Sequence, residues 1–170
     1  APRWQSQTLS PLALGLSVVV DYREHRVLLG PVIPADGADL VLPMRVHRLP
    51  LVRGTLNGGR PAAFIVDTGG EVISLNADVA DSLALRPARR IPLRVYGLEG
   101  LDSSAFLLPG VDLDVASIAF RQIGVAVLDL RSPSVLLGFQ IGGIVGHKFL
   151  ADRRVSFDLA RSELRLSAAP

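Results

Sequence analysis

The sequence predicts an all-β domain of short strands with one or two short helices. Three observations point there. Twelve prolines and sixteen glycines punctuate 170 residues, so few stretches longer than about ten residues escape both. Turn signals such as Asn57-Gly58-Gly59 separate apolar runs. Only Ala77 to Leu85 reads well as a helix. Apolar residues make up 49% and charged residues 20%, enough for a sizeable core and unlike a disordered chain.

In chain order, residues 12–29 cluster as two strands around the polar turn Tyr22 to Arg26, and residues 30–40 read as a connector. Leu40 to Leu56 is strand-like, with Val41, Met44, Val46, Leu49 and Leu51 as expected core residues. The Asn57-Gly58-Gly59 turn then sends Arg60 to Val66 back as the second strand of a hairpin. Glu71 to Asn76 is a short strand, and Asn76 is placed to cap the helix that Pro87 stops. Ile91 to Tyr96, Phe106 to Leu108, Val111 to Ile118 and Phe120 to Leu130 supply further strands. Gly138 to Gly146 is glycine-rich and apolar, a brief helix fits His147 to Ala151, and a hairpin of Arg154 to Leu159 with Glu163 to Leu166 closes the chain.

One internal echo crosses this order. Val18-Val19-Val20-Asp21-Tyr22 followed by Val27-Leu28-Leu29 resembles Val155-Ser156-Phe157-Asp158-Leu159 followed by Leu164-Arg165-Leu166. Each is an apolar strand ending in Asp, a basic turn and a second apolar strand. Either two unrelated hairpins share a composition, or the first is the tail of a preceding repeat.

Composition excludes several functions. There are no cysteines, so disulfides, thiolate catalysis and cysteine zinc sites are ruled out. Net charge is +2, the basic residues are spread along the chain, and aromatics are 5%. A nucleic-acid surface wants a basic stripe with interleaved aromatics, so no nucleic-acid partner is expected. The longest apolar stretch, Leu9 to Val20, is broken by Pro11 and too short to span a bilayer, so no transmembrane segment is expected. A start at Ala1 rather than Met fits an exported, processed product or a trimmed chain, and the compartment stays open.

The chemistry concentrates at Phe64-Ile65-Val66-Asp67-Thr68-Gly69-Gly70. An apolar run delivers one carboxylate to the end of a rigid strand, and glycines turn the chain sharply there. Such a carboxylate is a reactive acid or a strand-end cap. The Asp-Thr-Gly triplet alone does not decide, since average residue usage produces it in about one chain in thirty of this length.

The ordered set of flanking signatures does more. The Asn57-Gly58 turn, apolar strand, Asp67-Thr68-Gly69, short strand and capped helix resemble the front half of a retropepsin-like aspartic protease. Gly143-Ile144-Val145-Gly146 with Phe149-Leu150 resembles the family's second signature, and Val155 to Leu166 its closing hairpin. The resemblance runs from about residue 45 to 168. It implies a closed, retropepsin-like (acid protease) barrel and divides the chain into an extension, 1–44, with a β-hairpin, and a protease domain, 45–170.

The resemblance also implies an aspartic endopeptidase with polypeptide substrates, no cofactor and no metal. Asp67 would be catalytic, supported by Thr68, Gly69 and Gly70, with Ile144, Val145 and Gly146 as the structural second signature. A flap would fall on Tyr96, Gly97, Leu98, Glu99 and Gly100. Two carboxyls sharing one proton can act as base and acid at once. Only one Asp-Thr-Gly is present; Asp36-Gly37 and Asp102-Ser103 lack the preceding strand and following Gly. The site then needs a second Asp67 from a homodimer, or the other half of a tandem protein; a non-catalytic peptide-binding module of the same fold is the rival reading. Gly70 departs from the small Ala, Ser or Thr usual after the triplet.

Other reactive-looking residues read more simply. His25, His47 and His147 lack metal spacing. Ser103-Ser104 beside Asp102 reads as a turn. Gly138, Gly142, Gly143 and Gly146 lack the Lys-Ser/Thr ending of a phosphate loop and point to close strand packing. Arg86, Arg89 and Arg90 suit the C-terminus of the predicted helix. Asp158 reads as a strand-end residue.

Overall fold

The computed structural model describes residues 11–34, 37–46, 49–83, 91–97 and 100–167. Its strands are β1 (Ser17–Asp21), β2 (Arg26–Gly30), β3 (Leu40–Pro43), β4 (Arg45–Val46), β5 (Pro50–Leu56), β6 (Arg60–Val66), β7 (Ser74–Asn76), β8 (Ile91–Pro92), β9 (Val95–Gly97), β10 (Gly100–Asp102), β11 (Phe106–Val115), β12 (Ile118–Leu128), β13 (Gly143–Val145), β14 (Arg154–Asp158) and β15 (Glu163–Ser167). The helices are α1 (Ala77–Ser82), α2 (Arg131–Leu137) and α3 (His147–Leu150), after a 3-10 turn at Pro11–Leu14. Among the described residues no helix is long and apolar enough to cross a membrane. Contacts divide the chain into two compact units, Ala1–Arg48 with Asp152–Pro170, and Leu49–Ala151.

The second unit is built around a barrel. Three residues, Asn57, Gly58 and Gly59, join β5 to β6, and the chain takes the left-handed backbone of a tight turn there, with φ 46° at Asn57 and 72° at Gly58. The Asn57 side chain then fixes the turn, its Oδ1 accepting from the Asp112 N–H at 2.9 Å. β5 and β6 pair antiparallel with Leu51 opposite Ile65 and Leu56 opposite Arg60. β6 pairs parallel with β13, β13 antiparallel with β7, and β7 parallel with β12. β12 pairs antiparallel with β11. β11 returns to β5 through Leu113 opposite Leu56 and Asp114 opposite Thr55, so six strands close a ring. The expected all-β closed barrel is what forms.

Glycines permit the tightest approaches. A Cβ on Gly54 would lie 2.9 Å from the Asp114 carbonyl and 3.1 Å from the Phe64 ring; one on Gly143 would overlap the Ser74 carbonyl and meet Phe64 at 2.9 Å. Phe64, fully buried, takes up the room both leave. Close packing therefore explains Gly142, Gly143 and Gly146, whereas Gly138 ends α2 at φ 75° with open space around it.

In the first unit the five-stranded order is β2-β1-β14-β15-β3, all antiparallel. Val18, Val19, Leu42, Met44, Val155, Phe157, Leu164 and Leu166 are buried. Two expected core residues are corrections. Val41 is exposed because the alternation of β3 turns Leu42 inward instead, and Leu49 is exposed just before β5. Met44 and Leu51 are buried as expected; the side chain of Val46 lies outside the described residues.

The helices also differ in part. Asn76 caps α1 as expected, its Oδ1 accepting from the Asp78 N–H at 3.3 Å. Helix α1 gives way at Leu83, whose extended backbone is its C-cap, and the predicted continuation to Leu85 lies outside the described residues, as do Arg86, Arg89, Arg90 and His47. Helix α2 was not expected from the sequence. Asp158 caps its turn as a strand-end residue, Oδ1 accepting from the Arg161 N–H at 3.0 Å and Oδ2 pairing with the Arg161 guanidinium at 2.7 Å.

Candidate active site

Strand order places the Asp67 carboxylate. β6 and β7 are consecutive in sequence, yet β13 lies between them. Residues 67–73 must therefore cross over the C-terminal end of β13. Asp67 opens that crossing, its N–H donating to the Val145 carbonyl at 3.0 Å. Ile144 stands opposite Ile65 and Val145 opposite Val66, so the two apolar signatures lie side by side and end together.

Gly146 then meets the loop backbone to backbone. A Cβ there would overlap the Gly70 carbonyl oxygen, and would lie 2.6 Å from its carbon and 3.0 Å from the Val72 carbonyl. The start of α3 holds the same loop: the His147 N–H donates to the Gly70 carbonyl at 2.6 Å and the Lys148 N–H to the Glu71 carbonyl at 3.1 Å. Reading the sequence missed these two anchors, because they are backbone groups with no residue-type signal.

The carboxylate is oriented by its own turn. Asp67 Oδ1 accepts from the Gly69 N–H at 2.9 Å, and the Gly70 N–H donates to the Asp67 carbonyl at 3.3 Å. A Cβ on Gly70 would stand 3.2 Å from Oδ2, tighter than most real contacts, so Gly70 leaves that oxygen free space. Asp67, Thr68 and Gly69 are exposed. The Asp67 carboxylate is therefore accessible, on an anchored loop at the end of a strand.

A family model described as "Aspartyl protease" matches residues 52–147. This chain belongs to that aspartyl protease family. The match spans more than half of the chain and includes both Asp67 and Gly146. Among solved structures, the chain is similar to EIAV protease complexed with the inhibitor HBY-793, at 19% identity, covering 64% of this chain and 90% of that one, with a TM-score of 0.48. It is also similar to a retropepsin-like aspartic protease from Rickettsia conorii, at 16% identity, covering 76% of this chain and 89% of that one, with a TM-score of 0.47. Comparison with curated proteins gives no match.

The other residues singled out in this family member fall as follows. Tyr96, Gly97 and Gly100 lie on β9 and β10, which pair antiparallel with Gly97 opposite Gly100 and Tyr96 opposite Leu101. Leu98 and Glu99 lie outside the described residues. Among the described residues, β9 and β10 form a two-stranded sheet of their own. Beneath the loop, Leu51, Ile65, Leu130 and Ile141 form a buried apolar cluster against which Leu128, Leu137, Phe139 and Ile144 pack. Helix α2 thus braces the strand that carries Asp67. At its start the Arg131 guanidinium grips both oxygens of Asp129, Nε donating to Oδ1 at 2.9 Å and Nη2 to Oδ2, and that hydrogen bonding first of all pulls the Asp129 pKa down to about 2.

Proposed function

We propose that this aspartyl protease is an endopeptidase half-site. Asp67 supplies one carboxyl, and a second domain of the same fold supplies the other. Two carboxyls a few ångströms apart cannot both ionise, so one acts as base on a water while the other protonates the scissile carbonyl. The exposed Asp67 carboxylate, held at a strand end by the Gly69 N–H and by Gly146 under the loop, carries this reading. Thr68 and Gly69 support the carboxyl at the junction of the two domains. The hairpin around Tyr96 to Gly100 is the proposed flap over an extended polypeptide that binds by strand-like pairing.

In the simplest assembly the second domain is another copy of this chain, giving a homodimer with one Asp67 from each subunit. The hairpin echo favours a second assembly, in which the partner domain belongs to the same polypeptide. For either, the test is cleavage of a denatured protein mixture between about pH 3 and 7 by the assembled protein, compared with Asp67→Asn. Loss of cleavage in the variant is expected. Equal activity in the two, or none in either, contradicts the reading and leaves a peptide-binding module.

A further inference from the structure

The hairpin echo is a structural equivalence. Adding 137 to each residue of β1 and β2 lands on its counterpart in β14 and β15. The pairings obey the same shift: Val18 opposite Leu29 becomes Val155 opposite Leu166, Val20 opposite Val27 becomes Phe157 opposite Leu164, and Asp21 opposite Arg26 becomes Asp158 opposite Glu163. The turns match as well. Asp21 Oδ1 accepts from the Glu24 N–H at 2.9 Å, and Asp158 Oδ1 from the Arg161 N–H at 3.0 Å.

The two hairpins face each other across a local two-fold axis. Val18 stands opposite Phe157, Val19 opposite Ser156 and Val20 opposite Val155, so the axis passes through the Val19–Ser156 pair. This symmetry leaves one position vacant. On one side β15 is flanked by β3, with Leu42 opposite Leu164 and Leu40 opposite Leu166. On the other side the equivalent edge belongs to β2, and no strand covers it among the described residues. Val27, Leu28 and Leu29 are 60%, 50% and 56% exposed, whereas Leu164 and Leu166, the counterparts of Val27 and Leu29, are 0% and 1% exposed. An open edge with three consecutive apolar residues and neither Pro nor Lys among them is one that proteins normally cover.

We propose that the β2 edge receives an antiparallel strand, equivalent to β3, from a second domain of this same fold that precedes β1 in the polypeptide. Hairpin β1–β2 is then that domain's closing hairpin, as β14–β15 closes this one. The proposal rests on the half-site reading above and names the source of the second carboxyl. Asp67 lies 88 residues before Val155, so the second Asp-Thr-Gly lies the same distance before Val18. A second copy of the whole chain cannot place its own closing hairpin against β14, because β1 already occupies that edge.

The test uses the 170-residue chain and a peptide of residues 38–44 at millimolar concentration, with amide exchange read at Val27, Leu28 and Leu29. The peptide is expected to slow exchange there at least tenfold, and Leu29→Lys to abolish the effect. These side chains are exposed, so the substitution leaves the core intact. Exchange unchanged by the peptide overturns the proposal. Sedimentation supplies the second arm. The expected result is an oligomeric state unaffected by Leu28→Lys; a dimer that Leu28→Lys disperses would overturn the proposal, because β2 would then be taken by a second copy. Asp67→Asn leaves both readouts unchanged, so failure of the cleavage reading and failure of the docking site are told apart.

Discussion

Replacing Gly146 with Ala tests how the site is built. The added Cβ would overlap the Gly70 carbonyl oxygen and stand 2.6 Å from its carbon, where ordinary contact begins at 3.4 Å. The Asp67 loop must therefore withdraw by about 1 Å, or β13 must shift by as much. Forcing a methyl group into a packed site costs about 1–3 kcal/mol. Withdrawal also strains the hydrogen bonds from His147 to Gly70 and from Lys148 to Glu71, worth about 1 kcal/mol each. With both bonds lost the sum is about 3–5 kcal/mol, or about 1.5–2.5 M in the urea midpoint at a slope near 2 kcal/mol/M. A displacement of about 1 Å at the carboxylate costs about 10²-fold in cleavage rate. Gly59→Ala is the control, since a Cβ there meets nothing within 4 Å; it stays within about 0.5 kcal/mol. Urea unfolding followed by circular dichroism, with cleavage measured beside it, decides the matter. A Gly146→Ala protein with the midpoint and activity of the parent would refute the crossing-loop argument.

Other expectations follow from neighbouring contacts. Gly70→Ala places a Cβ 3.2 Å from Asp67 Oδ2, so kcat falls about tenfold while the urea midpoint moves by less than about 0.5 M. Asn76→Ala removes the α1 cap and the 2.9 Å bond from Nδ2 to the buried Ile141 carbonyl; it costs about 2–3 kcal/mol in urea unfolding. The Asp129 pKa is lowered to about 2 from 3.8 by the Arg131 pair. A carboxylate with a depressed folded pKa contributes stability that is complete above its unfolded pKa and lost as pH falls through the folded one. Amide exchange in α2, corrected for its intrinsic pH dependence, should therefore accelerate between about pH 4 and 2, and Asp129→Asn should remove that acceleration.

What the sequence made legible was local. Asn57-Gly58 with apolar strands on either side carries its own turn geometry, so the hairpin that delivers Asp67 could be read residue by residue. The Asn76 cap likewise needs only a neighbour two residues away. The parallel pairing of β6 with β13 joins residues about eighty apart and has no local period; family resemblance, not alternation, put those two signatures together. Within β3 the period was visible but its phase was not, which is why Val41 was expected inside and Leu42 is buried. Helix α2 escaped because Val135 and Leu136 are exposed, so no apolar stripe marks it. Its available signals were Pro133 in the first turn and Gly138 just beyond the end. The hairpin echo was visible as composition, but only the strand pairing revealed that both copies keep one register.

The central claim is that Asp67 works as one of a coupled pair of carboxyls. The pH dependence of kcat/KM for the assembled protein tests it most directly. Two carboxyls that share one proton lose their protons in two separated steps that belong to the pair. The account predicts a bell-shaped profile with both limbs below about pH 7, and its loss with Asp67→Asn. A single limb, or a bell that survives Asp67→Asn, would contradict it.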